Sequence, residues 1–126
     1  MKKVVLSILV LAAVTFSATA NTITENSTNY ETNYVKVSPF CKLIQSGNYD
    51  AVKAMIENGE NVNKKSGGLT PLMFAARYNQ SKIASLLIEN GAKIKVKSDY
   101  GRTALDWAKL AKAHDTHTVI QKALKS

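Results

Sequence analysis

One apolar pattern is written three times along the chain. Ala51, Val52, Met55 and Ile56 form the first copy, Ile83, Ala84, Leu87 and Ile88 the second, and Val119, Ile120, Ala123 and Leu124 the third. The spacing i, i+1, i+4, i+5 draws one narrow stripe on an α-helix, whereas on a strand it would split between two faces. A shorter segment leads each copy: Ser38-Pro39-Phe40, Thr70-Pro71-Leu72 and Thr103-Ala104-Leu105, recurring at a nearly constant step. The pattern predicts a helix pair repeated three times. A unit of this length buries its stripe only against a neighbour, so the fold class expected is an all-α solenoid of stacked helix-turn-helix units, whose usual work is binding.

Local punctuation sets the boundaries. Ser38 and Thr70 can cap a helix with their hydroxyls while Pro39 and Pro71 take the first helical position, where the missing N–H costs nothing. First helices are expected to run to about Gln45, Tyr78 and Ala111, and second helices over about Asp50 to Asn58, Ser81 to Asn90 and Thr116 to Leu124. Gly59 and Gly91, each preceded by Glu-Asn, stand where a left-handed residue would end a helix. Lys65-Ser66-Gly67-Gly68 and Ser98-Asp99-Tyr100-Gly101 supply turn chemistry between the pairs, with short alternating stretches such as Lys93 to Lys97 beside them, so the connections should be short and β-hairpin-like. In the third copy the stripe begins later than the step of the leading segments allows, at Val119. This predicts a few extra residues around Ala111 to Asp115, in a longer first helix or a wider loop.

The N-terminal part reads differently. Met1-Lys2-Lys3, the apolar run from Val4 to Val14 and Ala18-Thr19-Ala20 together read as a secretory signal over residues 1–20, cut after Ala20. The apolar run is short of the roughly 20 residues that span a bilayer, so no stable membrane insertion is expected after cleavage. Residues 21–37 read as a flexible leader, rich in Asn and Thr and without helical apolar spacing. The repeat domain is expected over 38–126, in units 38–63, 64–95 and 96–126. Without Lys2 and Lys3 the chain has 15 basic and 9 acidic residues, about +6, and the charge is lopsided. Residues 21–63 are net −2, while residues 64–126 hold 12 basic and 4 acidic side chains, net +8. A field of one sign favours an acidic protein partner or an anionic surface.

The motifs now on the page resemble the ankyrin-repeat family. Gly68-Leu69-Thr70-Pro71-Leu72-Met73-Phe74-Ala75-Ala76-Arg77-Tyr78, followed by Ile83 to Leu87 and Glu89-Asn90-Gly91-Ala92, is similar to a nearly complete repeat. Gly101-Arg102-Thr103-Ala104-Leu105-Asp106-Trp107-Ala108 opens another, and Ser38 to Asn63 resembles a first repeat without its hairpin. Ankyrin repeats usually carry a histidine two residues after the proline. Cys41, Met73 and Asp106 stand there, so the hydrogen bonds that histidine makes between repeats are not expected. Lys42 takes the place of Phe74 and Trp107, as suits an outer unit facing water.

Candidate chemistry is sparse. His114 and His117, with Asp106 and Asp115 near them in sequence, could share a helix face toward a metal, but two ligands do not close a site, and no metal or cofactor is expected. Cys41, the single cysteine, is read as a small buried residue and cannot form an intrachain disulfide. It belongs to the opposite end of the array from both histidines, which argues against a nucleophile–base pair and against an enzyme. The lysines are spread over several units without aromatic interleaving, unlike a nucleic-acid site. The resemblance implies protein recognition through hairpin tips and the exposed side of the first helices. The residues there are Ser66, Leu69, Arg77 and Tyr78 in the second unit, and Tyr100, Arg102 and Leu110 in the third. Trp107 is expected in the core between repeats. The function expected is a non-enzymatic protein-interaction module of the cell envelope or exterior, with an inhibitor or immunity protein, or a metal- or anionic-polymer-binding protein, as alternatives.

Overall fold

The computed structural model describes residues 36–126, so the signal segment and most of the leader lie outside the described residues. Six helices occupy the described part: α1 Pro39–Ser46, α2 Tyr49–Glu57, α3 Pro71–Arg77, α4 Ser81–Glu89, α5 Ala104–Leu110 and α6 His114–Lys125. They pair as α1–α2, α3–α4 and α5–α6. First helices pack in one row, α1 on α3 on α5, and second helices in another, α2 on α4 on α6. None of the six is long and apolar enough to cross a membrane.

The core runs through the whole row. Phe40, Ile44, Val52, Leu72, Met73, Ile83, Leu87 and Ile120 are all buried, each side chain contributing about 1.5–3 kcal/mol of burial free energy. Ala75, Ala76 and Ala108 are fully buried, and their lack of bulk lets the first helices lie close together. Lys42 is exposed on the outer unit, as expected. Val37, assigned to the leader from its sequence, is half-buried and packs on the core, so the packed unit begins before its first cap.

Each first helix is capped by its own sequence. The Ser38 hydroxyl accepts from Cys41 N–H at 3.2 Å, and Thr70 accepts from Met73 N–H at 3.4 Å. In α5 the box is reciprocal and charged: Asp106 N–H donates to Thr103 Oγ1 at 3.3 Å, and Thr103 N–H donates to Asp106 Oδ2 at 3.0 Å. The backbone and hydroxyl of Thr103 hold the Asp106 carboxyl below its usual range. Asp106 therefore acts within its own helix start.

Three residues at matching places follow the first helices with positive φ: Gly47 at 75°, Asn79 at 52° and Lys112 at 55°. Each stands at the same offset from its own cap, Ser38, Thr70 or Thr103. This corrects the spacing inferred for the third unit. Its first helix has 7 residues, as in the second unit, and its second helix starts at His114, which lies as far beyond Thr103 as Ser81 lies beyond Thr70. No residues are inserted before α6; matching by apolar stripe alone places the equivalence one turn too late. The true counterpart of Ile83 is Thr116, a polar residue that is fully buried. It is satisfied from the neighbouring unit, since its hydroxyl and its N–H both donate to Asn79 Oδ1, at 3.0 and 3.2 Å. Asn79 thus stands in for the side-chain cap that Ala113 cannot provide.

The connecting hairpins are equally local. Gly67 and Gly68, with φ of 60° and 83°, make a two-residue turn that brings Ser66 and Leu69 into a single antiparallel bridge. The next hairpin docks on it closely: Asp99 N–H donates to Gly68 O at 3.0 Å, and a Cβ on Gly68 would stand 3.0 Å from the Asp99 carboxylate. Lys65 Nζ adds an exposed ion pair to Asp99 Oδ1 at 3.0 Å, and Asn63 accepts from Lys93 N–H and donates to Gly91 O. The expected hairpin-like connections are present, and the two are lashed together.

Candidate partner-binding groove

The ends of the first helices and the hairpin tips enclose a groove of about 390 Å³. Its floor is apolar, with Leu69 and Phe74 buried beneath it, and its rim carries Arg77, Tyr78, Tyr100 and Arg102. Six of the seven residues expected to contact a partner line this groove. Leu110 does not: it lies at the end of α5, 57% exposed, outside the groove and outside the core.

Two of the six have a different role from the one expected. Ser66 and Leu69 are only 8% and 4% exposed. The bridge across the glycine turn directs them inward, and Ser66 Oγ accepts a hydrogen bond from Ser38 N–H at 2.8 Å, tying the first unit to the second. They form the base of the groove rather than projecting from it. Trp107 departs in the other direction. It is half-buried, because among the described residues no helix packs on the far side of α5, and it forms a wall of the groove. Trp107 does pack against the core, as expected, but the expectation left out the face it gives to the groove. The clue is in its register, since Trp107 follows Thr103 as Phe74 follows Thr70, but in the last of the three units.

The polar rim is organised around that indole. The Arg77 and Arg102 guanidinium carbons lie 5.7 and 5.5 Å from the Trp107 ring centroid, and Arg77 is also 5.9 Å from the Tyr78 ring. Tyr100 meets Trp107 edge-on, with centroids 6.4 Å apart and planes at 87°. Cation–π contacts of this length hold Arg side chains that would otherwise sample many rotamers. At the other end, Gln45 Nε2 donates to the Tyr78 hydroxyl at 3.2 Å and Gln80 Nε2 to Gln45 O at 3.3 Å, fixing the α1 and α3 ends relative to each other.

The remaining candidates stand apart. His114 and His117 share a small depression with Lys109 and Lys112, whose ammonium groups oppose a cation there. Asp106 is in the first turn of α5, committed to Thr103, and among the described residues no three His, Cys, Asp or Glu side chains gather. Cys41 is fully buried in the first unit, and burial pushes its thiol pKa up, away from the reactive thiolate.

Comparison with known proteins decides the lineage of this architecture. A family described as ankyrin repeats, in 3 copies, matches residues 9–98 and 40–122. The chain belongs to the ankyrin-repeat family. It is 30% identical over 84 residues to a rice potassium channel, KOR2, the match covering 66% of this chain and 12% of the channel. A Rickettsia bellii protein named for ankyrin repeats is 30% identical over 92 residues, 69% of this chain and 13% of that protein. Dauer abnormal formation protein 25 of Caenorhabditis elegans is 34% identical over 76 residues, 59% of this chain and 20% of that protein. The chain thus spans a fifth or less of these relatives. What the ankyrin match carries is the repeat stack and its general role as a protein–protein interaction module, in a family that is typically non-enzymatic.

Proposed function

We propose that this ankyrin-repeat chain is exported and acts in the cell envelope or outside the cell, seating a segment of a protein partner in the groove between its hairpin tips and first helices, without performing chemistry. The observation that carries this reading is the groove's construction: an apolar floor of Leu69 and Phe74 under a rim of Arg77, Tyr78, Tyr100, Arg102 and Trp107. Tyr, Trp and Arg dominate interface hot spots because each offers a large rigid surface and a polar handle. Here they converge on one concavity. Its sharper form is an inhibitor or immunity protein that covers an exported enzyme, for which the net +8 of residues 64–126 supports an acidic target.

Recovery of partners from an envelope fraction tests the surface, with the native chain compared against a Tyr100→Ala, Arg102→Ala double variant. The variant should lose the partner. Equal recovery by both would remove the groove from consideration. Export is tested separately by the mass of the mature protein, which should begin at Asn21; a product retaining residues 1–20 inside the cell would refute it.

A further inference from the structure

Resting on the groove as the binding surface, we infer that Arg77 and Arg102 form a carboxylate clamp across Trp107. The occupant is an extended, acidic peptide segment in which an Asp or Glu adjoins an apolar side chain. Two features set these arginines apart from ordinary surface charges. Both guanidinium groups lie over the same indole, 5.7 and 5.5 Å from its centroid, so their positions are held by the ring rather than by a counter-ion. Neither has a carboxylate within ion-pairing distance among the described residues. Asp99 is taken by Lys65, and Asp106, which feels the Arg102 charge only at longer range, is hydrogen-bonded in the Thr103 cap.

A guanidinium that meets an aromatic ring through its face leaves its N–H fork free at its edge, and that fork can receive a carboxylate with two parallel hydrogen bonds. The apolar floor of Leu69 and Phe74 then has a function that charge alone would not need, which is to take the neighbouring apolar side chain. Lysine would supply the charge without the fork, and this is where the clamp differs from general attraction by the basic half of the molecule.

Peptides selected from a random display library on the full chain provide the probe. Trp107, the single tryptophan, reports occupancy of the groove by its fluorescence. Selected peptides should pair Asp or Glu with an apolar residue. Neutralising that acid to Asn or Gln, or changing Arg77→Gln or Arg102→Gln, should weaken binding about tenfold, with little further loss when the changes are combined. Arg102→Lys should fall between native and Gln. Peptides that perturb Trp107 but contain no acid, or that ignore both Arg→Gln changes, would overturn the clamp while leaving the groove as the contact surface. Peptides that bind without perturbing Trp107, or a selection that yields none, would overturn the groove as well. Displacement by inorganic polyphosphate as readily as by the neutralisable peptides would reduce the site to unselective anion attraction and refute the carboxylate assignment.

Discussion

At the residue scale, the three left-handed positions show how one backbone requirement is met by three chemistries. Gly47 adopts it freely, Asn79 tolerates it, and Lys112 does so against the clash of its Cβ. Lys112→Gly should therefore raise stability by about 1 kcal/mol in urea unfolding. Asn79→Gly relieves the same strain yet strands the Thr116 hydroxyl and N–H, so it should lower stability by about 1 kcal/mol or more. Opposite signs at equivalent positions are the expected result; a stabilised Asn79→Gly would mean that its carbonyl is not holding α6. Asp106 makes a further residue-scale prediction. Because its folded pKa lies below the ordinary carboxylate value, its cap stabilises the fold fully above about pH 4 and fades as the pH falls through the lowered value. Asp106→Asn should flatten the acid limb of the stability–pH curve, as measured by thermal melts between neutral and strongly acid pH.

At the scale of elements, each helix start and stop was legible where a cap or a glycine marked it. The first helices end within a residue or so of their expected limits, and Gly59 and Gly91 have the left-handed φ anticipated for them. The third unit was misread because a buried Thr116 interrupts the apolar stripe, and hydropathy alone cannot show that Asn79 satisfies it. Similarly, sequence placed Ser66, Leu69 and Trp107 near the right surface but not at the right depth. Depth depends on which neighbouring unit covers a side chain, and that is a property of the stack. The close approach of α3 to both α1 and α5 gives the matching prediction. Ala75→Leu, which adds bulk at a fully buried site on that helix, should cost about 1–3 kcal/mol in denaturant unfolding, and no loss would show that the row is less tightly packed than its buried alanines indicate.

At the scale of the whole molecule, the core of the described residues is continuous: buried side chains run from Phe40 to Ile120 through all three units. Ile44→Ala at one end and Ile120→Ala at the other should each lower stability by about 2–5 kcal/mol, while unfolding remains a single transition by circular dichroism and Trp107 fluorescence. Two separable transitions would assign the ends to independent parts. Cys41 acquires a use from this arrangement. Sealed in the first described unit and chemically quiet while covered, it can meet an alkylating reagent only when that unit opens. The chain thus carries a native gauge of its own fraying, readable from the rate at which its single thiol is labelled.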